Sequence, residues 1–228
     1  APISSNSNPY GSSGGYELMS EYITHIGVDE SGKGDFFGPL VIAGVMVDEK
    51  TAEKFAALGI KDSKKITDKK ILTLEPIIKE SAPHTVVAIS NSRYNEMYAS
   101  IKNLNKLLAW GHARTIENIL EKNDCSYAIS DKFGNDHFIK DALMQKGREI
   151  TLEQMVRGES DIAVAAASVL ARAAFVHKIE QMQNSYGVMF PKGCAAQVKD
   201  CAREFISKYG KDRLKEVCKT HFKTYNEV

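Results

Sequence analysis

The sequence predicts an α/β domain: one mixed sheet, helices around it, and a helical C-terminal section. Three observations predict it. Apolar runs with strand character come early and are separated by turns marked with Gly and Pro. A helical period takes over from about residue 99, and an Ala-rich stretch from Ile162 has the small residues that let a helix pack closely.

In chain order, residues 1–18 are rich in Ser, Gly, Asn and Pro and carry no apolar period. They are expected to be a disordered leader or an appended remnant, leaving 19–228 as the folded domain. A strand is expected from Tyr22 to Val28, ending at Asp29 and Glu30. After a Gly-rich turn and Gly38-Pro39, Leu40–Val47 reads as a buried strand, and His84–Ile89 as a third. With one short Lys-rich helical piece before the third, these suggest an antiparallel meander.

One long helix is expected over Ala99–Lys122, where Ile101, Leu104, Leu108, Ile116, Ile119 and Leu120 recur at helical spacing. Tyr127–Ser130 is a short strand running into Asp131. A helix near His137–Gln145, an extended piece at Ile150–Leu152 and helices at Ile162–Gln183, Ala195–Lys208 and Asp212–Lys219 complete the reading.

At 228 residues, with 43% apolar and 26% charged, the chain is long enough to bury a core without disulfides or structural metal. No apolar run is expected to approach the roughly 18 residues of a membrane span, and no secretory h-region appears, so a cytoplasmic protein with no membrane partner is expected. Cys125, Cys194, Cys201 and Cys218 form no CxxC pair and lack His at zinc-ligand spacing, which suits reduced packing thiols. The net charge is +1, but residues 1–49 carry one Lys against seven acids and 177–228 carry ten basic residues against six acidic. That gradient suits a carboxylate site flanked by phosphate-binding surface, and equally a solvated Lys-rich face.

Gly27-Val28-Asp29-Glu30-Ser31-Gly32-Lys33-Gly34-Asp35 is the most informative stretch. Two adjacent carboxylates at the end of a strand are unusual, because Asp is unfavourable in strands. They can serve one metal cluster if the strand ends and twists there; a polar turn with solvated acids remains open. Gly27 to Gly34 also approximates a phosphate-binding P-loop, but Gly34 stands where that motif needs Ser or Thr. Asp29 and Glu30 would moreover place two negative charges in a cradle for phosphates, so that match is accidental.

The stretch from Asp29 to Leu40 resembles the opening motif of the type 2 ribonucleases H, D-E-x-G-[RK]-G followed by a Gly-Pro turn. Gly59-Ile60-Lys61-Asp62-Ser63-Lys64-Lys65, Ser130-Asp131-Lys132-Phe133 and Ala165–Arg172 resemble further motifs of that family, in the same order. Together they span residues 24–222. Lys33, the segment from Asn103 to Ala113, Phe190–Gly193 and Lys219–Phe222 are more similar to ribonuclease HIII than to ribonuclease HII. Cys194 departs from the Ala usual there. The family's N-terminal substrate-binding domain, similar to the TATA-binding protein, is expected to be absent.

The resemblance implies a ribonuclease H-like sheet and two divalent ions held by Asp29, Glu30, Asp131 and a fourth carboxylate. Hard carboxylate oxygens suit Mg²⁺ or Mn²⁺. Glu159 and Asp161 compete for the fourth place. Asp161, at the start of the Ala-rich helix, has a ready structural role as a cap, whereas Glu159 has none and the resemblance favours it. The implied substrate is an RNA–DNA hybrid, cut in the RNA strand to leave 5′-phosphate and 3′-hydroxyl ends by a monomeric enzyme. Gly32 and Gly34 allow backbone to approach a ribose, where the 2′-hydroxyl marks RNA. Lys33, Lys64 and Lys65 are candidate phosphate contacts, though Lys64 and Lys65 fit a solvated turn equally well. Asn103 and Asn105 are candidate contacts to base or sugar edges, but do not share a helix face. Trp110 and His112 are expected to pack; His177 and His221 are candidate proton carriers, with a structural role favoured for each. Alternatives are a ribonuclease HII-type enzyme that also incises at single ribonucleotides in DNA, and a catalytically inactive hybrid-binding module.

Overall fold

The computed structural model describes residues 22–131, 137–143, 150–155 and 160–228. Five strands, β1 (His25–Ser31), β2 (Leu40–Val47), β3 (His84–Ile89), β4 (Tyr127–Asp131) and β5 (Thr151–Met155), form a sheet in the order β3-β2-β1-β4-β5. β1, β2 and β3 pair antiparallel, as the meander predicted, while β4 and β5 join parallel to β1 and to each other. The helices are α1 (Glu49–Ala57), α2 (Asp68–Ser81), α3 (Asn91–Ile101), α4 (Leu104–Leu120), α5 (His137–Ala142), α6 (Ile162–Tyr186), α7 (Ala196–Tyr209), α8 (Lys211–Leu214) and α9 (Lys223–Asn226).

β2 is apolar at almost every position because both of its faces are covered. Val41, Ala43, Val45 and Val47 pack towards α1, α2 and α6. Leu40 and Ile42, with Ile26 and Val28 of β1, pack towards α3, α4 and α5. Helix α6 lies directly on the sheet: a Cβ at Gly27 would land on the backbone of Ala163 and Val164. The alanines of α6 are what permit that approach. By length and composition α6 could cross a membrane, but 61% of its apolar window is buried and it is the central helix of this core. The Ala-rich helix expected at Ile162–Gln183 is therefore a packing surface.

The predicted helix Ala99–Lys122 is two helices. Lys102 takes a left-handed conformation with φ 53° and ends α3, and Asn103 then caps α4, accepting from the Lys106 amide at 3.0 Å. β1 begins at His25 and runs through both acids to Ser31. The Lys-rich piece is two helices joined by a 3-10 turn at Ser63–Lys65, and the helix expected over Asp212–Lys219 stops at Leu214.

The C-terminal section is not a loose appendage. Val188, Phe190, Val198, Phe205, Leu214 and Val217 enclose Phe36 and Phe37, both fully buried, from the loop that follows β1. Each Phe contributes on the order of 1.5–3 kcal/mol by burial. The packing ties the last 40 or so residues to the loop beside the acids.

Candidate active site

The site forms where β1 and β4 end side by side. β1 pairs with β4 through Val28 and Ser130, so Asp29 and Asp131 are the next residues on adjacent parallel strands. Neighbouring strands lie about 4.8 Å apart, which brings these two backbone positions together. The Asp131 side chain and all of Glu159 lie outside the described residues. Strand alternation turns Gly27 and Asp29 towards α6, and Val28 and Glu30 towards α4.

Glu30 is anchored from α4. Its Oε1 is 2.7 Å from His112 Nε2, and His112 Nδ1 is 3.1 Å from Ser130 Oγ. Both ring nitrogens of His112 are thus engaged, one towards each strand. His112 is fully buried, and Ser130 comes from the strand that carries Asp131. One imidazole therefore braces the ends of both acid-bearing strands. Burial works to raise the Glu30 carboxyl, but the His112 hydrogen bond and charge, helped by Lys33 and Lys64, outweigh it and hold the group below its ordinary value. Glu30 stays ionised, and its Oε2 has no hydrogen-bond partner among the described residues. Asp29 Oδ1 accepts from the Glu30 amide at 2.8 Å, which stiffens the turn of the strand between the acids.

Both acids line a cleft of about 540 Å³. The glycine loop forms one wall, with Gly32, Lys33 and Gly34 all lining it. Gly32 has φ +96°, and a Cβ there would strike the Pro39 carbonyl, so no other residue fits. Ser63 and Lys64 line the cleft as well. Their turn is held by α6: the Ser63 amide donates to Ser168 Oγ at 2.8 Å, and Asp62, fixed near the same hydroxyl, caps the turn. Two sequence motifs, the Asp62–Lys65 turn and the Ala165–Arg172 helix, thus meet through one serine. Arg172 and Lys192 also reach the cleft, both paired with Asp68, at 3.1 and 3.2 Å.

Among the predicted contacts, Lys65 is exposed and does not line the cleft, nor do Asn103 and Asn105. Asn103 is engaged in capping α4. Asp161 does what its position suggested: one carboxylate oxygen accepts from the Ala163 and Val164 amides at 3.0 and 3.1 Å. Its other oxygen meets buried His25 at 2.8 Å. His177 pairs with Glu75, and His221 stacks on Tyr98 and bonds the Tyr94 hydroxyl. The sequence reading missed the bond from His112 to Glu30. The sequence does place His112 on the apolar face of α4, one turn from Leu108 and Ile116, but it shows nothing of which strand end that face covers. It also left Arg172 and Lys192 without a role.

The donor set fits a hard divalent cation. Glu30 offers an ionised carboxylate with one oxygen unengaged among the described residues, and Asp29 adds a second carboxylate in the same cleft. Among the described residues no group of three or more His, Cys, Asp and Glu side chains forms a metal cluster. The Asp131 carboxylate and Glu159 would be needed to complete one.

Comparison with known proteins agrees with this geometry. The family model described as Ribonuclease HII matches residues 26–225. Ribonuclease HIII of Protochlamydia amoebophila is 45% identical over 204 residues, covering 90% of this chain and 68% of the relative. Ribonuclease HIII of Chlamydia felis is 44% identical over 206 residues, covering 89% and 69%. The crystal structure of Bst-RNase HIII in complex with Mn²⁺ superposes with a TM-score of 0.83 at 31% identity, over 91% of this chain and 69% of that one. A chain with these acids, this sheet and these relatives belongs to the type 2 ribonuclease H family, the one the Ribonuclease HII model describes, and its curated relatives are ribonucleases HIII.

Proposed function

We propose that the protein hydrolyses the RNA strand of RNA–DNA hybrids as a divalent-metal-dependent endonuclease of the ribonuclease HIII type. The single observation that carries this reading is the ionised, His112-braced Glu30 beside Asp29, in a cleft walled by a glycine loop and by lysines. Asp29, Glu30, Asp131 and Glu159 are the proposed holders of Mg²⁺ or Mn²⁺, two ions in the catalytic state. Such ions, when bound, supply an activated water and charge neutralisation at the scissile phosphate. Asp161 is left out because both of its oxygens are already engaged.

The chain itself positions the substrate. Gly32 and Gly34 let the loop backbone approach the ribose, whose 2′-hydroxyl distinguishes RNA from DNA. Lys33 and Lys64 both line the cleft and suit the backbone phosphates. His112 keeps Glu30 oriented and ionised throughout. The sequence expectations of a single catalytic unit at 19–228, a monomer and a cytoplasmic location are carried forward as part of this proposal.

Two substrates test it: a continuous RNA–DNA hybrid, and duplex DNA with one embedded ribonucleotide. Efficient metal-dependent cutting of the first and poor incision of the second is expected. Equal rates on both would move the protein to the ribonuclease HII type. Binding without any cleavage would make it a hybrid-binding module.

A further inference from the structure

Lys219 is fully buried, an unusual fate for a lysine. Its amine donates to the carbonyl oxygens of Asp35, at 2.7 Å, and of Gly38. Its own backbone amide donates to the Phe36 carbonyl at 2.9 Å, and the Gly38 amide donates to the Val217 carbonyl at 3.0 Å. One residue thus grips positions 35, 36 and 38, which form the far end of the glycine loop. The near end is tied to the same place, since the Asp35 amide donates to the Gly32 carbonyl at 3.2 Å. Asp35 also takes the Gly193 amide on its carboxylate at 2.8 Å, and the Asn91 side chain donates to the Gly38 carbonyl at 2.8 Å.

A methionine would fill the same space without the cost of burying an amine. What it would lack is the donor to the Asp35 carbonyl and the second donor to the Gly38 carbonyl. Burial brings the Lys219 amine down to about 7, against the opposing pull of Asp35. Either protonation state keeps at least two N–H groups for the two carbonyls, so the grip persists through neutral pH.

We propose that Lys219 is a positioning residue for hybrid recognition: it fixes the loop of Gly32, Lys33 and Gly34 in the shape that meets the ribose, although it never touches substrate itself. The inference rests on the proposed function and extends it to a residue of the C-terminal section.

The test is metal-free binding. Fluorescence anisotropy in EDTA compares the full chain and Lys219→Met on a labelled RNA–DNA hybrid and on a DNA duplex of the same sequence, well below the melting temperature of either protein. The hybrid Kd is expected to rise about tenfold, while the DNA duplex Kd stays within about twofold. Preference for the hybrid then falls with the loop. An unchanged ratio of the two Kd values in a folded Lys219→Met, whatever its melting temperature, overturns the inference. If Lys219→Met does not fold, Asn91→Ala loosens the same Gly38 carbonyl and should cost the hybrid about threefold with the same selectivity; no change there also overturns it. A wild-type chain that shows no preference for the hybrid sinks the underlying functional reading instead, and the inference with it.

Discussion

His112 Nε2 stands 2.7 Å from Glu30 Oε1, so a fully buried ring on α4 sets the direction of a carboxylate on β1. The same ring reaches Ser130, one residue before Asp131. Groups that orient metal-binding carboxylates commonly matter about 10–100-fold for metal affinity or turnover. His112→Ala should therefore weaken Mn²⁺ binding and slow cleavage within that range while the protein stays folded. Calorimetric Mn²⁺ titration and hybrid cleavage check it; unchanged values for both would remove His112 from the site.

The depressed Glu30 carboxyl has a pH consequence. A carboxyl held below its unfolded value contributes stability that is present above the unfolded value of 4.5 and is lost as pH falls through the folded one. Denaturant unfolding of the metal-free protein should show the wild type losing more stability than His112→Ala between about pH 5 and pH 3. Parallel losses would mean that His112 does not hold Glu30 down.

Lys219 gives a slope of the same sign in a higher pH window. Its folded value of about 7 lies below the ordinary 10.5, so between these limits the unfolded chain binds more protons. The cost of burying the charged amine is fully present below pH 7 and is relieved as pH rises. The stability of the wild type relative to Lys219→Met should therefore increase from pH 7 to pH 10. Urea unfolding at both pH values reads the difference, and a flat or falling one would contradict the burial.

Asp161 and Glu159 should separate. Asp161→Asn loses part of the α6 cap and the pairing with His25, lowering stability by on the order of 1 kcal/mol with cleavage near normal. Glu159→Gln should cripple turnover with little change in melting temperature. The reverse pattern would exchange their roles.

Gly27→Ala drives a methyl into the Ala163 and Val164 backbone and should cost about 1–3 kcal/mol as α6 is pushed off the sheet. Thermal melting checks this, and an unchanged midpoint would show that α6 can shift freely.

Much of this arrangement was legible in the sequence because its signals are local. The continuous apolar run of β2 marks a strand covered on both faces, and the carboxylate pair followed by Gly32-Lys33-Gly34 marks a functional turn. The break at Lys102 was not legible, because a non-glycine residue at positive φ leaves no compositional trace and the apolar spacing continues across it. Nor was the grip of Lys219 on residues 35–38, since contacts between positions more than 180 apart have no local pattern. His112 was read as a packing residue and does pack; its second role depends on which strand end α4 covers.

The central claim is that metal held at Asp29 and its neighbours cuts RNA paired with DNA. It is tested most directly by incubating the wild type and Asp29→Asn with a hybrid labelled in its RNA strand, in Mg²⁺, in Mn²⁺ and in EDTA. The wild type should cut the RNA strand in one or both metals and not in EDTA, leaving 3′-hydroxyl ends, while folded Asp29→Asn retains less than about one hundredth of that rate. Wild-type cleavage that persists in EDTA, or near-normal turnover by Asp29→Asn, would contradict it.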